Sequence, residues 1–450
     1  MNLSFTDEQN LLLQSAQRYL AEQYNFTERQ RIVVSPGGWD PSKWQSFAQL
    51  GWLALPFAPD HGGLGGDAVD LHLLAQAFGQ ALVVEPYLST VVLCGSLTAS
   101  IATPLHREAM LAQIAAGELR VALAYEEPSN RLAPMAAADA PLPMKTRAVA
   151  NSNGWQLSGT KTNVLAAASA QMWIVAAQIG ATSDGEPERG ALFLVQPDAH
   201  GVRQRPHSLI DGQRSATIEF DAVRVAAVDR FDDPQASALA CHGAIQQACD
   251  KAMIFAASQA SGSMQALLDA TLAYVKTRVQ FGQPLSANQV IRHRLVDMAI
   301  ACEEARAIAL RAAIVLADRA PEPDNTQAVA LSSAAGAAVA AAAAAARIKV
   351  ARCARYVAEQ AVQLHGGMGV TEELNIGAYF KSLLAFELRF GANEQVQRAQ
   401  FARLRQRLAI ETASEAASEA ASESAIESRG ETTFVASDHE SGERRHGAAL

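Results

Sequence analysis

The sequence predicts an α+β protein in three successive parts. These are a helical N-terminal domain (1–118), a middle β-domain (119–234) and a C-terminal four-helix bundle (235–410), followed by a low-complexity tail (411–450). Three changes of texture carry this reading. Apolar residues such as Leu11, Leu12, Ala16 and Leu20 recur at spacings of three and four from Thr6 to about Gly117, the period of a helix that buries one face. From Glu118 the pattern gives way to short β-prone runs separated by breakers. From Ala236 helical periodicity returns. With 450 residues, 49% hydrophobic and 18% charged, the chain has apolar material for two or three domains.

In the first part the helices are interrupted at Ser35-Pro36-Gly37-Gly38 and at Asp60-His61-Gly62-Gly63-Leu64-Gly65-Gly66. No strand leads into the second stretch, so it is read as a helix connection rather than a phosphate loop. The predicted strands are Arg120–Tyr125, Trp155–Leu157, Met172–Ala177, Ala191–Val195 and Ala216–Phe220, divided by breakers at 133–143, 151–154 and 183–187; they suit a sandwich or barrel. In the third part, four helices are predicted: one marked by Met253 to Val275, then Val290–Leu316, Gln327–Gln363 and Tyr379–Leu408. The tail repeats Ser-Glu-Ala-Ala, is acidic and poor in large apolar groups, and is expected to be disordered.

Several function classes are disfavoured. A formal charge of -9 with no long Lys/Arg cluster gives no footprint for nucleic acid. Five cysteines (Cys94, Cys241, Cys249, Cys302, Cys353) form no CxxC pair and no metal spacing, which suits reduced thiols in a cytoplasm. The N-terminus has neither a basic nor an apolar leader region. Ala328 to Ala346 carries no charge, yet alanine is only weakly lipophilic; a tightly packed bundle helix is expected there, not a membrane span.

Two segments carry the chemistry. The first is Arg278-Val279-Gln280-Phe281-Gly282-Gln283-Pro284-Leu285, followed by Gln289 and His293 on one helix face. The second is Gln363-Leu364-His365-Gly366-Gly367-Met368-Gly369, which also reads as a plain helix C-cap. Together they resemble two cofactor-contacting signatures of the acyl-CoA dehydrogenase family, over roughly residues 1–410. Tyr125-Glu126-Glu127-Pro128 resembles the family's Thr-Glu-Pro turn beside the flavin, and Trp155 to Lys161 resembles its Tyr-x-Leu-x-Gly-x-Lys strand. Both matches are partial: Ser129-Asn130-Arg131 replaces Gly-Ser-Asp, and Asn163 and Leu165 replace the Trp and Ser/Thr that follow the lysine.

The resemblance implies FAD as cofactor, with Arg278, Gln280, Phe281, Gln289, Gln363, Gly366, Gly367 and Tyr125 as contacts. A guanidinium suits a pyrophosphate because it donates two aligned, charge-assisted hydrogen bonds. Phe281 offers an aromatic face, Gln289 a hydrogen bond to adenine, and the glycines a close backbone approach to the adenosine of an FAD held by a neighbouring subunit. His365 resembles the family's usual residue and is not expected to be a base. The implied reaction is α,β-desaturation of an acyl-CoA, with electrons passed to an electron-transfer flavoprotein.

That reaction needs a desolvated carboxylate to take the α-proton. The family places it before a glycine near the C-terminus or on the helix preceding the arginine motif. Those positions hold Phe390 and Ala252, so the catalytic base is unassigned; Asp250, Glu387 and Glu394 read as solvated helix charges, and Arg131 and Arg389 as surface ones. The chain looks most like bacterial small subunits of pimeloyl-CoA dehydrogenase and related subunits of paired enzymes. A homo- or hetero-tetramer, the latter with a second acyl-CoA dehydrogenase subunit, is therefore expected. The alternatives are a non-catalytic partner subunit and an oxygen-using, acyl-CoA oxidase-like flavoprotein.

Overall fold

Helix α1 (Asp7–Gln23) begins where Thr6 and Gln9 form a reciprocal capping box that satisfies two otherwise unpaired N–H groups. The computed structural model describes residues 4–128, 144–180, 189–234, 240–318, 334–371, 373–391, 394, 396–402 and 405. The breakers at 133–143 and 183–187, Arg131 and the tail therefore lie outside the described residues. Up to Gln397 the chain is one compact unit; a second begins at Arg398, and its few described residues are helical.

After α1 come α2 (Phe26–Val34), α3 (Pro41–Gln49) and α4 (Ala68–Ala81). The glycine-rich stretch ends at Asp67, which caps α4, so it is the connection expected from sequence. A π-helical segment, Leu88–Gly95, then runs into α5 (Ser96–Ile101) and is followed by α6 (Pro104–Ala115). The hydroxyls of Ser89 and Thr90 donate to the carbonyls of Leu165 and Val121, which seats the wide turn on the sheet.

Seven strands make one mixed sheet: β1 (Val121–Ala124), β2 (Arg147–Asn151), β3 (Gly154–Leu165), β4 (Met172–Ile179), β5 (Arg189–Val195), β6 (Val202–Ser208) and β7 (Arg214–Ala226). The order is β1-β4-β2-β3-β7-β6, with β5 also paired to β4. All five predicted strands are present. The pattern missed β2 and β6, whose residues are mostly exposed and therefore lack apolar alternation.

The third part consists of α7 (Ala240–Thr277), a two-strand turn of β8 (Val279–Gln280) and β9 (Gln283–Pro284), α8 (Gln289–Ala317), α9 (Ala334–His365) and α10 (Ile376–Leu388). The last predicted helix is corrected. It stops at Leu388, because Phe390 (φ 61°) and Gly391 (φ 105°) take left-handed conformations that no α-helix continues through. The alanine-rich α9 packs inside the bundle, with Ala343, Ala346, Ala351, Ala354 and Ala361 fully buried. Among the described residues, no helix is long and apolar enough to cross a membrane. Helices α4 and α7 approach closely: a Cβ on Gly262 would lie 2.1 Å from the Gln76 carbonyl oxygen, and one on Gly79 1.8 Å from that of Gln259.

Candidate active site

A cleft of about 170 Å³ opens between the sheet and the end of α10. Its walls are Ser89 and Leu93 of the π-helical segment, Leu123, Tyr125 and Glu126 at the end of β1, Asn163 and Leu165 of β3, the Leu209–Ile210 turn, and Ala385, Leu388, Arg389 and Phe390.

The turn after β1 is fixed by a sealed ion pair. Lys161 Nζ lies 2.7 Å from Glu127 Oε1 with both side chains almost inaccessible. Glu127 also accepts from the backbone N–H groups of Lys145 and Thr146. Burial pulls the Lys161 pKa down, while the Glu127 carboxylate opposes that pull. Glu127 is thus held by structure, and its neighbour Glu126 is the carboxylate that lines the cleft. The Tyr125 hydroxyl donates to Glu126 Oε1 at 3.1 Å, and the Asn163 amide donates to Oε2 at 3.2 Å.

The opposite wall depends on Arg347, a guanidinium with no solvent exposure. Its Nε donates to the Arg389 carbonyl at 3.1 Å, and its Nη2 to the carbonyls of Gly391 (2.9 Å) and Glu387. Its charge lies 5.0 Å over the Phe386 ring. Burial lowers its pKa to about 10. These bonds satisfy carbonyls that the end of α10 leaves without helical partners, and so hold Phe390 in the cleft wall.

Neither position that the resemblance gives to the base carries a proton acceptor. Phe390 faces the cleft, while Ala252 is fully buried in the core beside Phe255. Glu387 pairs with Arg355 at 2.6 Å, and Glu394 is exposed. Two expectations are corrected. Asp250 is not a solvated charge but 3% exposed, accepting from Gln246 at 3.1 Å. Arg389 is not a surface charge: it pairs with Asp211 at 2.8 Å, where the Asp211 carbonyl also accepts from Arg29. His365 is buried and stacked on Tyr274 at 4.3 Å, with Nδ1 bonded to the Ala361 carbonyl, so it is structural.

Of the cofactor residues named from sequence, only Tyr125 lines this cleft. Arg278, Gln280, Phe281 and Gln289 occupy the exposed arm between α7 and α8, and Gln363, Gly366 and Gly367 the exposed end of α9. The Tyr274–His365 stack brings these two segments together. Phe281 is completely exposed in a left-handed conformation (φ 52°), a placement that costs strain and solvates an aromatic ring. The Arg278 side chain is exposed and has no ion-pair partner among the described residues. A Cβ on Gly282, Gly366 or Gly367 would meet nothing within 4 Å. Packing within this chain therefore does not require glycine at Gly367, which leaves backbone open to close approach from outside. An unpaired guanidinium, an exposed ring and bare backbone fit the pyrophosphate and adenosine of FAD.

The chain matches the family model for the acyl-CoA dehydrogenase N-terminal domain over residues 6–118 and that for the C-terminal domain over residues 242–404. It belongs to the acyl-CoA dehydrogenase family. Members of this family are FAD flavoproteins and oxidoreductases of acyl-CoA thioesters. The chain is 28% identical over 408 residues to the probable acyl-CoA dehydrogenase YngJ of Bacillus subtilis, covering 90% of this chain and 99% of YngJ. Its fold matches butyryl-CoA dehydrogenase from Megasphaera elsdenii with a TM-score of 0.74 at 23% identity, over 90% of this chain and all of that one. The ChsE4-ChsE5 complex of Mycobacterium tuberculosis matches with a TM-score of 0.72 at 20% identity, over 91% and 99% of the two chains. The likeness to pimeloyl-CoA dehydrogenase small subunits gains no support from these matches.

Sequence reading missed Arg347, the Asp211 pairing of Arg389 and a further buried acid, Glu85. Only Glu85 left a legible trace, as the single charge in the apolar run Leu82-Val83-Val84-Glu85-Pro86-Tyr87-Leu88.

Proposed function

We propose that this chain is one subunit of a paired acyl-CoA dehydrogenase that desaturates an acyl-CoA between its α and β carbons, and that a partner chain supplies the base. The observation that carries this reading is Phe390. The cleft has an aromatic ring where the family keeps a carboxylate, and Ala252, the other family position, is sealed in the core. FAD, when bound, would accept the β-hydrogen as hydride. The protein's own part is to exclude water from the cleft with Leu93, Leu123, Leu165 and Phe390 and to hold the pyrophosphate and adenosine with Arg278, Phe281, Gln289, Gln363 and the glycines. None of those arm residues lines the cleft, which supports an FAD shared between subunits in a tetramer. The solved ChsE4-ChsE5 complex supports pairing of two chains of this fold. Electron-transfer flavoprotein is the proposed acceptor, and a bacterial cytoplasm the proposed setting.

A second reading, the non-catalytic partner subunit, is favoured by Glu126. A carboxylate in the cleft wall would oppose the negative charge that reduction of a flavin bound there would bring. Anaerobic titration with acyl-CoAs separates the readings. Under the paired model, flavin bound by the chain alone stays oxidised and bleaches once the companion subunit is added. Bleaching of the chain alone would overturn it, and a chain that binds no flavin under any condition would place the non-catalytic reading first. Rapid reoxidation by air, rather than by electron-transfer flavoprotein, would instead mark an oxidase.

A further inference from the structure

A pocket of about 400 Å³, against about 170 Å³ for the cleft, lies where the ends of α1 and α4 meet the start of α10. That is the size of a small-molecule site, which runs from about 300 Å³ upward. Tyr24, Phe26 and Tyr379 give it aromatic walls, and Gln17, Asn25, Gln80 and Asn375 bring four carboxamides. No Asp, Glu, Lys, Arg or His is among its described lining residues. Burial raises the pKa of both tyrosines, so neither phenol adds a charge.

The carboxamides are only partly committed. Gln17 Nε2 donates to Gln80 Oε1 at 3.0 Å, and Asn25 Oδ1 accepts from the Glu28 N–H at 3.0 Å. The Tyr379 hydroxyl donates to the Gln80 backbone carbonyl and leaves the side chain alone. The linked amide pair therefore keeps an acceptor, Gln17 Oε1, and a donor, Gln80 Nε2, with no further partner among the described residues. A charged ligand would lose its hydration here without meeting a counter-charge, and a hydrocarbon would leave the amides facing nothing. The complementary ligand is flat and neutral, with a donor next to an acceptor on its edge, as in a nucleobase. A carboxamide pairs with adenine through two such hydrogen bonds, and base faces stack on aromatic rings.

We propose that this pocket is a nucleoside site, in which the linked amides of Gln17 and Gln80 read the edge of a neutral base and Phe26 covers its face. The site is separate from the acyl-CoA chemistry: none of its residues lines the cleft or belongs to the exposed arm or the end of α9.

The test is isothermal titration of adenosine, guanosine, cytidine and uridine into the assembled protein with FAD in excess. FAD then occupies the cofactor's own adenosine site, so a nucleoside that binds does so elsewhere. At least one of the four should bind saturably, and its monophosphate no more tightly, because no cation lines the pocket. Gln17→Leu and Gln80→Glu should each weaken that nucleoside about tenfold, the worth of one hydrogen bond. Gln80→Glu keeps the size of the side chain and exchanges its donor for an acceptor, and circular dichroism melts show that both variants are folded. Absence of saturable binding by all four nucleosides, binding that both substitutions leave unchanged, or tighter binding of the monophosphate overturns the proposal.

Discussion

Phe390 stands in the cleft wall, and Glu85 is a buried carboxylate with one oxygen unpartnered. Phe390 already sits in a left-handed conformation in the cleft wall, so a carboxylate placed there needs no change of backbone. Phe390→Glu is expected to let the chain alone exchange the α-proton of an acyl-CoA with deuterated solvent about 100-fold faster than wild type, the lower range of general-base catalysis. Binding without exchange would show that this position does not face the α-carbon. Glu85 makes a separate claim about pH. Its folded pKa, near 7, is raised above the usual 4.5 by burial. Its stabilising share is therefore complete below about pH 4.5 and is lost as pH rises through 7. Between pH 5.5 and 8.5 wild-type stability should fall by on the order of 2–3 kcal/mol more than that of Glu85→Gln, compared by urea unfolding.

Among the elements, the α4–α7 crossing sets the geometry of the pocket that Phe78 and Phe255 line, since these rings project from the two helices. The helices touch backbone to backbone at Gly79 and Gly262, where any Cβ meets a carbonyl oxygen. Gly262→Ala should push them apart at a cost of about 1–3 kcal/mol, as for other overpacked sites, read as a lower urea midpoint. An unchanged midpoint would mean that the crossing relaxes freely. The end of α10 shows why element boundaries were harder to read than elements. Residues from Tyr379 onward keep helical periodicity, and it is partners far along the chain, Arg347 on the carbonyls (44 residues from Gly391 in sequence) and Asp211 on Arg389, that hold the turn carrying Phe390.

At the scale of the whole molecule, features that are costly within one chain make sense together. Phe281 is fully exposed, Arg278 has no ion-pair partner among the described residues, and Gly367 faces open space. Each is explained if the arm and the end of α9 meet FAD in an assembly. Arg278→Ala should weaken FAD retention by the assembled protein about 10- to 100-fold, the worth of a charge-assisted contact, measured as flavin remaining after gel filtration. Retention equal to wild type would remove the arm from the cofactor site.

The sequence by itself determined the order of helical part, sheet and helical bundle, because burial on one face imposes a period of 3.6 or 2 that is written locally. It also disclosed the arm and the glycines at the end of α9, since these are short contiguous motifs. Edge and solvent-facing strands such as β6 left no period, because their side chains are not sorted by burial. Only the tertiary structure decided that Glu127 serves Lys161 while Glu126 faces the cleft, that Asp211 holds Arg389, and that Glu85 ends with one oxygen unpaired. Adjacent residues such as Glu126 and Glu127 are alike in sequence, and their fates diverge because burial and partners come from strands and helices far along the chain.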